Sequence, residues 1–350
     1  MILPHNNDLP VYYLASCFNN TSATYKYYWF LSIIQSVESG NIRINKNELF
    51  ARMIANAWHT VNYFHVSFGK QDKLQSAIEL IKAQEGLTID ENQSVIIKSL
   101  LETNNKSSLN QLKYFNNQVP HWFLSPWFPK IQNESYAARE KRIYHNSKSF
   151  HQKCLYALHN EAIEINPLWE GYLTANAKVL KDFCYWNLAL FLQAKNPNVP
   201  DIPNKLIKPA IRNSLAKQRI QFWDLVISEL GFVNCIYTGE KLTIGNYAVE
   251  HFIPYNFVSH DLVWNLIPAD KSFNSSKSDK LPQLEKYFDS FYTLQKTAIR
   301  IVSDKSPKNK FLEDYLTIFP DLQNLSRERY IERIQPLITI ASNNGFEFLS

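Results

Sequence analysis

Apolar residues recur at helical spacing over most of the first two hundred residues. The pattern runs from Tyr25 to about Gln193, and its clearest example is the series Leu49, Phe50, Met53, Ile54, Ala57, Trp58 and Val61. This period places apolar side chains on one face of each helix, where they can form a core. The first part of the chain is therefore predicted to be mainly α-helical.

Glycine and cysteine usage exclude several classes of protein. Glycine accounts for 8 of 350 residues, about 2% against a usual share near 7%. The pair closest to a nucleotide-binding motif, Gly239 and Gly245, has neither dinucleotide nor P-loop spacing. No CxxC pair occurs among the four cysteines, so neither disulfides nor a structural zinc are expected. This usage is typical of a reducing cytoplasm.

The amino-terminal sequence MILPHNNDLP lacks a basic leader followed by an apolar run, and no long uncharged stretch follows. We therefore expect a soluble, cytoplasmic protein with no membrane partner. The chain has 37 Lys and Arg against 32 Asp and Glu. This mild excess is compatible with a nucleic-acid partner if the basic residues cluster.

Two proline-rich segments, at residues 119–129 and 195–205, interrupt the helical pattern. The second is the expected domain boundary. Residues 1–200 are then a helical domain without an assigned role, and residues 201–285 are a linker helix followed by a small module. Residues 286–350 are predicted to be a helical extension that packs on the module or on the first domain.

The linker helix is basic. Residues 202–220 contain five basic residues and no acid. Lys208, Arg212 and Arg219 fall on one stripe of a helix that extends to about Leu230. The stripe either follows the phosphates of a nucleic acid or is a solvated helix face, and the sequence leaves both interpretations open.

The sequence changes character after Gly231, where β-branched and aromatic residues predict short strands with a turn at Thr238 and Gly239. A second strand is predicted over residues 264–268 and a short helix over residues 270–279. The predicted order is strand, loop, strand, helix.

Four polar positions in this module are spaced in a specific way. Glu250 and His251 end the first strand, Asn265 follows His251 by 14 residues, and Asn274 follows Asn265 by 9. This pattern resembles the HNH nuclease family, in which two strands and a helix enclose one metal ion. The segment from Cys235 to Leu284 looks most like the HNH domain of RNA-guided CRISPR effector nucleases. It lacks the zinc-binding CxxC pairs found in many HNH proteins.

The resemblance implies a mainly α protein with an embedded ββα-metal module that hydrolyses phosphodiester bonds. His251 suits a general base, since imidazole titrates near neutrality, and Asn265 would fix the loop carrying it, through the ring or the backbone. Glu250 and Asn274 would supply oxygen ligands to one Mg²⁺ or Mn²⁺. Lys277 lies three residues after Asn274, on the same helix face, where it would reach a phosphate.

One geometric condition applies to Glu250, because consecutive strand residues point to opposite faces. Glu250 and His251 can share a metal site only if the strand ends or bends there, and Glu250 is not a ligand if the strand continues regularly through Phe252. His260 beside Asp261 offers a rival base, but both are expected to be exposed turn residues.

DNA is the expected partner. An RNase using the same site and an inactive HNH fold that only binds nucleic acid are the alternatives. A protein partner or a second copy of the chain would bind through the helical region, and the resemblance suggests an anti-phage defence or restriction-type role.

Overall fold

The computed structural model describes residues 2–19, 21–207, 213–323 and 325–350. They fall into two compact units, the first within residues 1–197 and 202–210 and the second within residues 198–201 and 211–350. Both are rich in helices and contain only small sheets, which confirms the predicted mainly α fold class. Among the described residues, no helix is both long enough and apolar enough to cross a membrane.

The first unit is a helical assembly with one small antiparallel sheet, in which the third strand along the chain lies between the first two. Its helices are α1 (Val11–Ser16), α2 (Tyr25–Glu38), α3 (Lys46–Asn62), α4 (Lys73–Glu85), α5 (Gln93–Glu102), α6 (Lys106–Asn116), α7 (Pro120–Phe123), α8 (Tyr136–Ser147), α9 (Pro167–Ala175), α10 (Ala177–Lys195) and α11 (Ile202–Ile207), and its strands are β1 (Arg43–Asn45), β2 (Tyr156–Leu158) and β3 (Ala162–Ile165).

The core of this unit lies between α2, α3 and the sheet. The indole of Trp29 on α2 is fully buried and donates to the Tyr156 hydroxyl on β2 at 3.0 Å. That hydroxyl donates in turn to the carbonyl of Pro120 at 2.6 Å, so the buried polar groups are satisfied. The sheet was not predicted, because strands of three or four residues are too short for their period to be distinguished from that of a helix.

The second unit contains the strand-rich module and the carboxyl-terminal helices. Its helices are α12 (Ala216–Gln218), α13 (Asp224–Leu230), α14 (Tyr255–Val258), α15 (Lys271–Lys277), α16 (Leu284–Lys305) and α17 (Arg327–Asn343), and its strands are β4 (Val233–Asn234), β5 (Lys241–Leu242), β6 (Ala248–His251) and β7 (Leu266–Ala269). A π-helical turn, Arg219–Trp223, joins α12 to α13, so the predicted linker helix is not a regular α-helix.

The carboxyl-terminal helices support the module through both rings and hydrogen bonds. Phe252, just after β6, stacks on Phe291 of α16 with ring centroids 3.9 Å apart. The buried Gln295 amide on α16 donates to the carbonyl of Leu266 at 2.7 Å, and the Tyr330 hydroxyl on α17 donates to that of Trp264 at 2.8 Å. The hairpin of β6 and β7 is thus held in place by its contacts with α16 and α17.

Candidate active site

The hairpin of β6 and β7 ends at His251. The two strands pair antiparallel, with Glu250 opposite Ile267 and His251 opposite Leu266. After His251, Pro254 leads into α14 and prevents regular continuation of the strand. The strand therefore ends at His251, and both Glu250 and His251 belong to its regular ladder.

His251 is paired with a carboxylate that the sequence reasoning set aside. Its Nε2 lies 3.0 Å from Oδ1 of Asp261, and the two side chains are 6% and 18% exposed. The Tyr255 ring packs against the imidazole in a T-shaped arrangement, with ring centroids 5.5 Å apart and planes at 64°. The interpretation of Asp261 as an exposed turn residue is therefore wrong, because the loop before β7 folds back and directs it onto the imidazole.

Asn265 holds the loop that follows His251. Its side chain is completely buried, accepts from the backbone N–H of Ile253 at 2.8 Å and donates to the carbonyl of Ile253 at 2.8 Å. Of the two possibilities that the sequence left open, the amide thus contacts the backbone and not the ring. This two-way bond fixes the direction of the chain as it leaves β6.

Glu250 and Lys277 form a buried ion pair. Lys277 Nζ donates to Glu250 Oε1 at 2.8 Å and to the carbonyl of His251 at 2.8 Å. The lysine side chain is 0% exposed, and that of Glu250 is 6% exposed. Burial raises the pKa of the neighbouring Tyr237 hydroxyl well above its usual value, and the Glu250 carboxylate adds to that rise.

The burial of Lys277 corrects its predicted role. An ammonium that is enclosed by protein and already donates to two oxygens is not placed to meet a substrate phosphate. Its contacts instead tie α15 to the end of β6. Helical spacing alone placed it on the right face but gave no information about its depth.

Asn274 lies one turn before Lys277 on α15. Its Oδ1 atom is buried and has no hydrogen-bond partner among the described residues. A buried acceptor without a partner costs about 1–3 kcal/mol, so such an atom needs an explanation. A bound cation would satisfy it.

Glu250 and Asn274 carry oxygen donors of the types that a hard cation takes. A carboxylate and an amide oxygen are the donors that Mg²⁺ and Mn²⁺ prefer. Glu250 retains acceptor capacity beyond its bond to Lys277, since an ionised carboxylate offers about four lone-pair sites. Within the described residues, no cluster of three or more His, Cys, Asp or Glu could hold a metal. Any ion at Asn274 would therefore keep several positions for water and phosphate.

The predicted basic stripe is only partly described. Lys208 and Arg212 lie outside the described residues, and Arg219 lies on the π-helical turn, where it is half-buried.

Residues 235–283 match the HNH endonuclease family. The chain carries an HNH endonuclease domain. The match begins at Cys235, just after β4, and extends through β5, the hairpin of β6 and β7, and α15, so it covers the four residues by which the resemblance was drawn. No curated protein and no solved structure matched the chain. The family supports nuclease activity on nucleic acid, whereas the closer resemblance to RNA-guided effector nucleases stays a prediction.

Proposed function

We propose that the HNH domain is a metal-dependent endonuclease that hydrolyses phosphodiester bonds in DNA, with His251 as the general base. The observation that carries this proposal is the pair of His251 and Asp261 at the end of β6, within the segment that matches the family. A lone histidine on a strand has many structural roles. A histidine whose ring is oriented by a carboxylate is suited to accept a proton from water.

The pairing assigns a function to each ring nitrogen. When Nε2 carries the ring proton and donates it to Asp261 Oδ1, Nδ1 is left as the ring's proton acceptor. Nδ1 then takes a proton from the attacking water, and Asp261 stabilises the imidazolium that forms. Asn265 keeps the loop in place through the backbone of Ile253.

Asn274 and Glu250 would hold the metal. A divalent ion held by these two residues would supply charge to offset the negative charge that builds on the phosphate during hydrolysis. Asn274 contributes a neutral amide oxygen that has no other partner among the described residues. Lys277 holds Glu250 in place through their ion pair and offsets part of the negative charge that Glu250 brings to the site.

The proposal is tested by nicking of supercoiled plasmid. The full chain with Mg²⁺ or Mn²⁺ should convert plasmid to the open-circular form, because one HNH site cuts one strand at a time, and excess EDTA should stop the reaction. Labelled RNA and DNA offered in parallel distinguish a DNase from an RNase. Nucleic-acid binding without any metal-dependent cleavage would contradict the proposal.

That last outcome would favour the alternative of an inactive HNH fold that binds nucleic acid. One observation supports it: Glu250 is already paired with Lys277, so the charge that a metal would need is partly offset. The defence role that the resemblance suggests belongs to the active form. Phage challenge of cells that express the wild type or the His251→Ala variant tests it.

Replacement of Asp261 by asparagine should lower kcat roughly 10- to 100-fold, the usual effect of losing a partner that orients a functional side chain. Asparagine can donate to the ring and so favours the wrong tautomer, while DNA affinity should not change. Asp261→Glu should recover part of the rate. The exposed Asp304→Asn is a control for loss of charge and should cleave like the wild type. Equal rates for Asp261→Asn and the wild type would remove Asp261 from the mechanism.

A further inference from the structure

A cavity of about 450 Å³ opens beside Asn274. One side is formed by Lys271 and Asn274 on α15 and by Val249 on β6. The other side comes from Ser214, Leu215, Ala216 and Arg219, which precede the segment that matches the family. The HNH domain thus shares this cavity with the linker.

Arg219 is the charged residue on the linker side. Its side chain is half-buried, and its guanidinium makes no hydrogen bond or ion pair with the described residues. Its backbone carbonyl accepts from the Tyr247 hydroxyl at 3.4 Å, and the same hydroxyl lies 2.7 Å from Asp224 Oδ1. The π-helical turn is therefore fixed while the charged end of Arg219 keeps its donors.

The polar groups of the cavity are suited to an anion. Arg219 and Lys271 are its charged residues, and no carboxylate lies among the residues that line it. Lys271 Nζ donates to the carbonyl of Gly245 at 2.9 Å, which uses one of its three protons. A guanidinium offers a planar pair of donors that matches two oxygens of a phosphate.

The linker also contacts the loop that orients His251. The side-chain amide of Gln218, next to Arg219, donates to the backbone carbonyl of Asp261 at 3.2 Å. Asn274 therefore borders the cavity on one side. On the other side, Gln218 connects the linker to the loop of Asp261, the partner of the proposed base. A phosphate bound at Arg219 would therefore lie beside Asn274.

We propose that Ser214, Leu215, Ala216 and Arg219 form one wall of the substrate site and that Arg219 binds a phosphate of the DNA strand beside Asn274. The inference rests on the proposed nuclease function. It adds a specific binding residue from outside the family-matched segment, and it implies that residues 235–283 alone are an incomplete site.

The test is DNA binding by the full chain in a His251→Ala background, measured by fluorescence anisotropy over a range of salt concentrations. Arg219→Gln should weaken binding of a short duplex about five- to tenfold and reduce the salt slope by about one, as expected for one lost phosphate contact. Arg219→Lys should keep the slope. Lys217→Gln removes an exposed charge from the same segment, outside the cavity, and should leave affinity near that of the parent.

Thermal unfolding of each variant shows whether weaker binding comes from a lost contact or from a lost fold. Arg219→Lys is the conservative variant, because it retains the apolar stem and the charge. Equal affinities and slopes for Arg219→Gln and Lys217→Gln would overturn the inference while leaving the nuclease proposal intact if the wild type nicks plasmid. Absence of both binding and cleavage in the wild type would overturn both. Arg219-dependent binding of inorganic phosphate without an effect on DNA would also contradict the substrate wall.

Discussion

Substitution of His251 by alanine should lower the single-turnover rate of plasmid nicking by about 10²- to 10⁴-fold, the range for loss of a general base. Asp261 orients the imidazole of His251, because its Oδ1 lies 3.0 Å from the ring's Nε2. Asn265 binds the backbone of Ile253 and not this ring, so the loop should keep its shape in the variant. DNA affinity should be retained, because the general base contributes to the chemical step.

His260→Ala is the matched control, since it removes another imidazole from the loop between β6 and β7. His260 packs against Trp264, with ring centroids 5.1 Å apart, and should be dispensable for the proton transfer. If His251→Ala nicked plasmid at the wild-type rate, or if His260→Ala lost more activity than His251→Ala, His251 would not be the general base.

Lys277→Met should lower the free energy of unfolding by about 3–5 kcal/mol, because it leaves the Glu250 carboxylate buried without its partner. The pair is enclosed, with the lysine side chain 0% and the glutamate side chain 6% exposed. The variant also loses the bond from Nζ to the carbonyl of His251. Thermal unfolding of the full chain should shift downward on the order of ten degrees for the transition of the second unit.

The double variant Glu250→Gln with Lys277→Met distinguishes an unpaired charge from a packing defect. Removal of both charges should restore a large part of the lost stability, because the cost of Lys277→Met comes mainly from the remaining carboxylate. Lys286→Met, at an exposed position on α16, controls for the substitution itself and should shift stability by less than about 0.5 kcal/mol. Unchanged stability of Lys277→Met would mean that the ion pair does not hold α15 to β6.

The sequence predicted the order of elements around His251 because turn residues and apolar period mark short strands there. It also grouped Glu250, His251, Asn265 and Asn274 through a spacing pattern that belongs to a family. Spacing says which helix face a residue shares, but burial depends on what packs over that face. This is why the enclosure of Lys277 was not predicted.

Asp261 and Arg219 show a second limit of prediction from sequence. Asp261 lies ten residues after its partner, in a run that reads as a turn, and nothing local signals that the loop folds back onto the imidazole. Arg219 was recognised as one of several basic residues, but its proximity to Asn274 depends on how the π-helical turn packs beside α15. Both relations arise from tertiary packing, which residue type and period do not encode.

The most direct test of the account is Mn²⁺ binding, measured by electron paramagnetic resonance, by the wild type, His251→Ala and Asn274→Ala in the presence of a phosphorothioate DNA that resists cleavage. The account predicts one bound ion per chain in the wild type and in His251→Ala, and loss of that ion in Asn274→Ala. Equal Mn²⁺ binding by Asn274→Ala and the wild type would contradict it.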